Sequence, residues 1–327
     1  MIEQRKVAKP PEGYPQRENI SQFREALNGT LRLSSEGVVD SLDVSMAKSG
    51  AFIATTSEKE IKILDANGAL TETLPIQDRV RIAKFAPNSD SIVMMSFASP
   101  DSDVKAQVWD IKSKQQVYEI RGHAGSVITD ISFLPLEDMV AVSSSDQTWS
   151  LHDYANGKKM LQLEESAKVS SIRIHPDGLI MAVGLSNGKI KVYDMRDMAL
   201  ASELEAPVEG TAVSKLEFSN KGIFLAAAWT GLDSCRVYSL HKGFAFSEIK
   251  SEGSTVTTLE FDLFGQFLAV GSTESLSVFS YKNWKKTLVS LRPFDQGPVS
   301  HIRFDGSGRK IYVGSESVGA LKTLSLA

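Results

Sequence analysis

From about residue 30 onward, apolar residues recur at every second position in short runs, and clusters of Gly, Asn, Asp and Ser separate the runs. That period places side chains alternately on the two faces of a strand, so the pattern predicts an all-β chain. Only the start differs. "MIEQRKVAKPPEGYPQREN" carries Pro10, Pro11 and Pro15 among polar residues and reads as an extended tether. In "NISQFREALNG", Ile20, Phe23 and Leu27 share one helical face, Asn19 can cap and Asn28-Gly29 can stop, which predicts a short helix. Residues 1–27 are thus expected to form a tether and helix, and residues 28–327 a single β domain.

The runs repeat in fours. One unit reads "VSSIRIHPDG", "LIMAVGLSNG", "KIKVYDM" and "ALASELE". The third strands align at Asp65, Asp110, Asp153, Asp194, Ser239, Ser280 and Ser325, spaced by 45, 43, 41, 45, 41 and 45 residues. That period matches a four-stranded propeller blade of the WD-repeat kind. The expected fold is an all-β, seven-bladed WD-repeat β-propeller with four-stranded antiparallel blades. The seventh copy supplies three strands and stops, so "TLRLSS" at 30–35 is expected to join it and close the ring, because an open sheet edge would invite other chains.

Composition narrows the function. A formal charge of −4 argues against a protein built to neutralise phosphates. One cysteine, Cys235, excludes an internal disulfide and favours a reducing compartment. No run of about 18 apolar residues could cross a bilayer as a helix, so no membrane partner is expected.

Candidate chemistry concentrates in "SSSDQTWSLHD", residues 143–153. Asp146 stands seven residues before Asp153, and Asp103 holds the same relation to Asp110. His123 of Gly122-His123, Ser144 among the three serines, and Asp146 resemble the hydrogen-bonded set of WD-repeat proteins, a resemblance that implies they lock the turns of a blade. A buried polar network persists when its members satisfy one another, so this set is read as structural and not as a hydrolytic triad, which needs an open oxyanion site. Trp149 falls on the face of Leu151 and reads as core. Trp229 lies just before or within the turn of "AAAWTGLDS", where it would be an exposed anchor or pack against a neighbouring blade. Arg79, Arg81 and Lys105 are the exposed-looking loop charges nominated for partner binding, and Arg5, Lys6 and Lys9 form a basic tether. No metal-ligand spacing, phosphate loop or catalytic set is visible, so no cofactor is expected and no enzymatic activity of the chain itself.

"SSSDQTWSLHD", "IHPDGLIMAVG" with "GKIKVYDMRD", "LEFDLFGQFLAVGSTESLSVFSYKNW" and the lead-in "RKVAKPPEGYPQRENISQFRE" resemble the pre-mRNA-processing factor nineteen family of spliceosome-associated U-box ubiquitin ligases. The resemblance covers most of the chain. It implies a nuclear propeller that docks spliceosomal proteins and ubiquitination substrates, below a U-box and a tetramerising coiled coil. Neither a U-box-like segment nor a heptad run precedes residue 30, so the chain is expected to be a C-terminal piece that is monomeric and lacks ligase activity of its own. The alternatives are a generic WD-repeat adaptor and a propeller that touches RNA weakly or indirectly through aromatic and Arg side chains.

Overall fold

The computed structural model describes residues 12–15, 23–32, 41–43, 52–56, 60–65, 69–76, 78–87, 89, 91–97, 103–121, 125–135, 137–251 and 254–326. Among them the ordered elements are strands, apart from a single 3-10 turn at Leu240–Lys242. After β1 (Phe23–Arg32), consecutive strands group in fours. The first group is β2 to β5 (Ser41–Asp43, Phe52–Thr56, Glu60–Leu64, Leu70–Pro75), and the second is β6 to β9 (Val80–Phe85, Ile92–Phe97, Val104–Asp110, Gln115–Arg121). Next come β10 to β13 (Ile128–Phe133, Met139–Ser144, Thr148–Asp153, Lys158–Glu164) and β14 to β17 (Val169–Ile174, Ile180–Leu185, Ile190–Asp194, Leu200–Leu204). The last two are β18 to β21 (Val213–Phe218, Phe224–Trp229, Ser234–Ser239, Ala245–Lys250) and β22 to β25 (Val256–Phe261, Phe267–Ser272, Leu276–Ser280, Asn283–Leu291). The chain ends in β26, β27 and β28 (His301–Phe304, Lys310–Ser315, Ala320–Leu326), and β1 pairs with β28 to complete that sheet.

The expectation of seven blades in one closed ring is therefore corrected. Six blades are built from four consecutive strands each, and the remaining four-stranded sheet is a composite of the two ends of the chain. Packing divides the chain into two compact units, Val38–Val213 and Met1–Gly37 with Ser214–Ala327. Of the helix expected at 19–27, residues 19–22 lie outside the described residues and the rest is corrected. Residues 23–32 form β1, antiparallel to β28, with Phe23 opposite Leu326 and Arg32 opposite Ala320. The register shifts between Glu25 and Thr30, so Asn28-Gly29 falls at an irregularity in a strand where the sequence suggested a helix stop. Three apolar residues cannot distinguish the two periods over so short a run, and the open edge of β28 supplies the backbone partners that decide it.

Burial follows position within a blade. Second strands such as Ile180–Leu185 and Phe267–Ser272 are buried throughout, whereas the outer strand Leu200–Leu204 buries only its last residue. A second strand is covered on both faces, which is why it reads as a continuous apolar run without alternation. The core is a series of layers between successive blades. In the first unit Ile61 and Leu74 meet Val80 and Val93, and Ala141, Trp149 and Leu151 meet Val169 and Ile172. In the second unit Ala269 and Val278 meet Ile302 and Val313.

Candidate protein-docking surface and the networks behind it

The first strand of several blades carries a bulge at its second residue: the register shifts between Val80 and Ile82, Ile128 and Asp130, Val169 and Ser171, and Val256 and Thr258. A bulge turns the extra residue out of the ladder. Three of these residues are hydroxylic and use that freedom identically. Thr129 Oγ1 donates to Val169 O (2.7 Å), Ser170 Oγ to Val213 O (2.6 Å) and Thr257 Oγ1 to Val299 O (2.5 Å), each reaching the residue at or just before the next first strand. In β6 the bulged position is Arg81, and it is exposed. Its neighbour Arg79 is exposed as well. One guanidinium thus stands where other blades carry a clamp, with a second just before the strand.

Asp130 ties three first strands together. Its carboxylate accepts from Lys84 Nζ of β6 (2.8 Å), from Ser171 Oγ (2.9 Å) and Ile172 N (3.2 Å) of β14, and from Arg173 Nη1 (3.1 Å). The second unit has a smaller counterpart, in which Arg303 Nη1 donates to Glu260 Oε1 at 2.6 Å. Desolvation pushes the Glu260 carboxyl up to about 7; Arg303 opposes that shift and Glu217 adds to it.

The serine-rich turn is a local polar network. Ser144 Oγ meets Ser126 Oγ (3.0 Å) and accepts from Asp146 N (3.3 Å), while Ser145 Oγ accepts from Val127 N (3.1 Å). Asp146 Oδ1 accepts from Thr148 N (3.0 Å) and Thr148 Oγ1 (2.7 Å), closing an Asx turn that places Gln147 at φ 73°. His123 lies outside the described residues. Trp149 is fully buried and donates its indole N–H to Glu165 (3.2 Å). Glu165 also accepts from Tyr193 OH (2.6 Å) and Lys191 Nζ (2.7 Å), so this buried carboxylate has a partner on every side. His152 is buried between Tyr118 OH (3.0 Å to Nδ1) and Ser150 Oγ (2.8 Å to Nε2). That serine and histidine are sealed from solvent, which removes the approach a nucleophile needs.

Two nominated contact residues are corrected. Lys105 is 1% exposed and Trp229 is fully buried. Lys105 lies in β8 and not in a loop, and Trp229 is the last residue of β19, just before the turn and buried as the second of its two readings allowed, with Arg236 Cζ 5.7 Å from its ring centroid. Asp103 is exposed and pairs with Arg121 (2.8 Å). Arg79 and Arg81 remain as surface charges, while Arg5, Lys6 and Lys9 lie outside the described residues. Among the described residues no group of three or more His, Cys, Asp or Glu comes together as a metal site, and no helix is long and apolar enough to cross a membrane.

Sequence reasoning missed the hubs Asp130 and Glu165. Asp130 is a single charge inside the apolar run "VITDISF", and that interruption was the available signal; Glu165 stands beside Glu164 in "LQLEESA", a pair that reads as solvated loop charge and is corrected here, since Glu165 is buried.

Repeated four-stranded antiparallel blades are the architecture of a WD-repeat β-propeller. The family described as "WD domain, G-beta repeat" matches residues 114–153, and "Anaphase-promoting complex subunit 4 WD40 domain" matches residues 155–209. Within that class the chain is similar to proteins named pre-mRNA-processing factor 19. The Dictyostelium discoideum protein is 31% identical over 153 residues, 44% of this chain and 28% of its own length. Homolog 2 from Arabidopsis thaliana is 24% identical over 252 residues, 74% of this chain and 46% of its own length, and the Bos taurus protein is 24% identical over 194 residues, 57% and 37%. The chain thus spans less than half the length of these relatives.

Proposed function

We propose that this chain is a protein-docking propeller of the splicing machinery, which holds spliceosomal proteins in the nucleus as part of a longer U-box ubiquitin ligase. The observation that carries the reading is the similarity to pre-mRNA-processing factor 19 over 252 residues, a stretch that reaches well beyond one repeat. The chain contributes recognition and leaves transfer chemistry, and assembly through a coiled coil, to other parts of the parent protein. The exposed pair Arg79 and Arg81, one just before and one at the bulge of a first strand that carries no hydroxyl clamp there, is the surface on which an acidic partner segment would land.

Affinity purification of the full-length parent protein tests the reading. Splicing factors should co-purify, and Arg79→Glu with Arg81→Glu should deplete a subset of them. An eluate without splicing factors would leave a generic adaptor. Retention on RNA that weakens steeply with added salt would favour the nucleic-acid reading instead. Ubiquitin transfer by the isolated chain would overturn the division of labour.

A further inference from the structure

The tether is not idle. Residues 12–15 carry Gly13-Tyr14-Pro15, and Tyr14 is 5% exposed although it lies 248 residues from its main partner. Its hydroxyl donates to Asp262 Oδ2 at 2.8 Å, and its ring meets Phe264 edge-on with centroids 4.7 Å apart. On the other side it rests against Gly308, where a Cβ would stand 2.4 Å from Tyr14 Cζ. Arg309 Nη2 donates to Gly13 O at 3.3 Å, Gly13 itself sits at φ 83°, and Pro15 is buried.

The walls of this slot are two equivalent turns, each joining the first and second strands of its sheet. In one, Asp262 N bonds Phe267 O and Gly265 N bonds Asp262 O; in the other, Asp305 N bonds Lys310 O and Gly308 N bonds Asp305 O. Each turn is held by its own bonds. Asp262 keeps its orientation through Phe267 N (2.6 Å) and Phe264 N (3.2 Å), and Asp305 through Lys310 N (3.0 Å). The receptor is thus pre-organised and does not depend on the ligand to form. The corresponding junction one sheet earlier is closed, because a Cβ on Gly265 would already meet Ser219 Cβ at 3.2 Å. A deep seat with a buried acceptor is a property of the Asp262 and Gly308 junction.

We infer that this junction is a recognition site for a Gly-Tyr-Pro peptide that enters through a glycine turn, occupied in this chain by its own residues 13–15, which act as a displaceable strap. The chemistry of the ligand follows from the seat. A phenol is required because the buried Asp262 carboxylate needs a donor at the floor, and phenylalanine would leave it one bond short. Glycine fits the preceding position, whose backbone is left-handed and whose carbonyl faces Arg309. Proline fixes its own φ and so lowers the entropic cost of ordering the segment. A partner carrying that tripeptide would compete with the strap. The inference does not depend on the splicing assignment.

The full chain with Tyr14→Ala vacates the seat, and a fluorescein-labelled peptide of residues 9–18, KPPEGYPQRE, is the probe. The Tyr14→Ala chain should bind it at least tenfold more tightly than the wild-type chain does. Replacing the tyrosine of the peptide by phenylalanine should weaken binding about tenfold, and adding Gly308→Ala to the Tyr14→Ala chain should abolish it. Equal binding by wild type and Tyr14→Ala, no binding by a folded Tyr14→Ala chain, or indifference to Gly308→Ala would each overturn the site. Loss of the folded state in both Tyr14→Ala and Tyr14→Phe would overturn it too, because the segment would then be core and not a strap.

Discussion

Removing the Asp130 side chain tests how the first strands are tied together. Asp130→Ala deletes the acceptor for Lys84, Ser171, Ile172 and Arg173 at once. The Lys84 and Arg173 side chains are only 20% and 13% exposed, so neither cation is rehydrated fully when its partner goes. Breaking a buried pair costs about 3–5 kcal/mol, and because some solvent reaches Lys84 the lower end applies, about 3 kcal/mol. Asp130→Asn keeps an oxygen for Ser171 and Ile172 but loses the charge, and should cost about 2 kcal/mol. Urea unfolding followed by tryptophan fluorescence measures both as shifts of the midpoint at constant slope. A double-mutant cycle with Arg173→Met isolates the pair and should give a coupling of about 1.5 kcal/mol. The Asp130 loss should also change little in high salt, unlike that of the exposed Arg121 and Asp103 pair. An Asp130→Ala penalty under about 1 kcal/mol, or an additive cycle, would refute the idea that this carboxylate joins neighbouring blades.

Three further perturbations follow the same logic. Glu165→Gln should cost about 2 kcal/mol in urea unfolding, because Lys191, 17% exposed at its side chain, loses its counter-ion while Trp149 and Tyr193 keep an acceptor. Glu260 has a folded pKa raised above its ordinary 4.5 to about 7, chiefly by desolvation, so its stabilising contribution is complete below 4.5 and fades as pH rises through 7. The stability of wild type relative to Glu260→Gln should therefore fall between pH 4.5 and 7, and a flat difference would show that Glu260 ionises normally. Gly188→Ala places a Cβ 2.4 Å from Thr211 O at φ 89° and should cost about 3 kcal/mol, read as a loss of thermal midpoint.

The blades were legible because their period is written in the chain. Four strands and a third-strand Asp or Ser recur at nearly constant spacing, and each blade closes mostly through local hairpins, so sequence-adjacent residues decide it. The two ends were harder. The pairing of β1 with β28 joins Phe23 to Leu326, and no local signal at residues 19–27 can report a partner that far along the chain. The run consequently reads as a helix, while the closing strand expected at 30–35 is met in part: Thr30–Arg32 pair with β28, the strand begins earlier at Phe23, and residues 33–35 lie outside the described residues.

The same distinction explains the site residues. Trp149 was readable as core because its neighbours alternate within one strand, whereas Trp229 and Lys105 stand next to turn-like residues that suggest exposure while their strands run on and bury them. The hubs escaped for a deeper reason. Asp130 answers to Lys84 in the preceding blade and Arg173 in the following one, so each charge looks like an isolated fault in its own strand and becomes intelligible only as one link of a chain running from blade to blade. Tyr14 is the extreme case: beside three prolines in a polar tether it has no visible partner, and its seat exists only after two turns from different sheets have met. Local periodicity thus specifies the repeats, while the residues that distinguish this chain from a generic set of repeats are those whose partners belong to another sheet, and it is among these that recognition of other molecules should be sought.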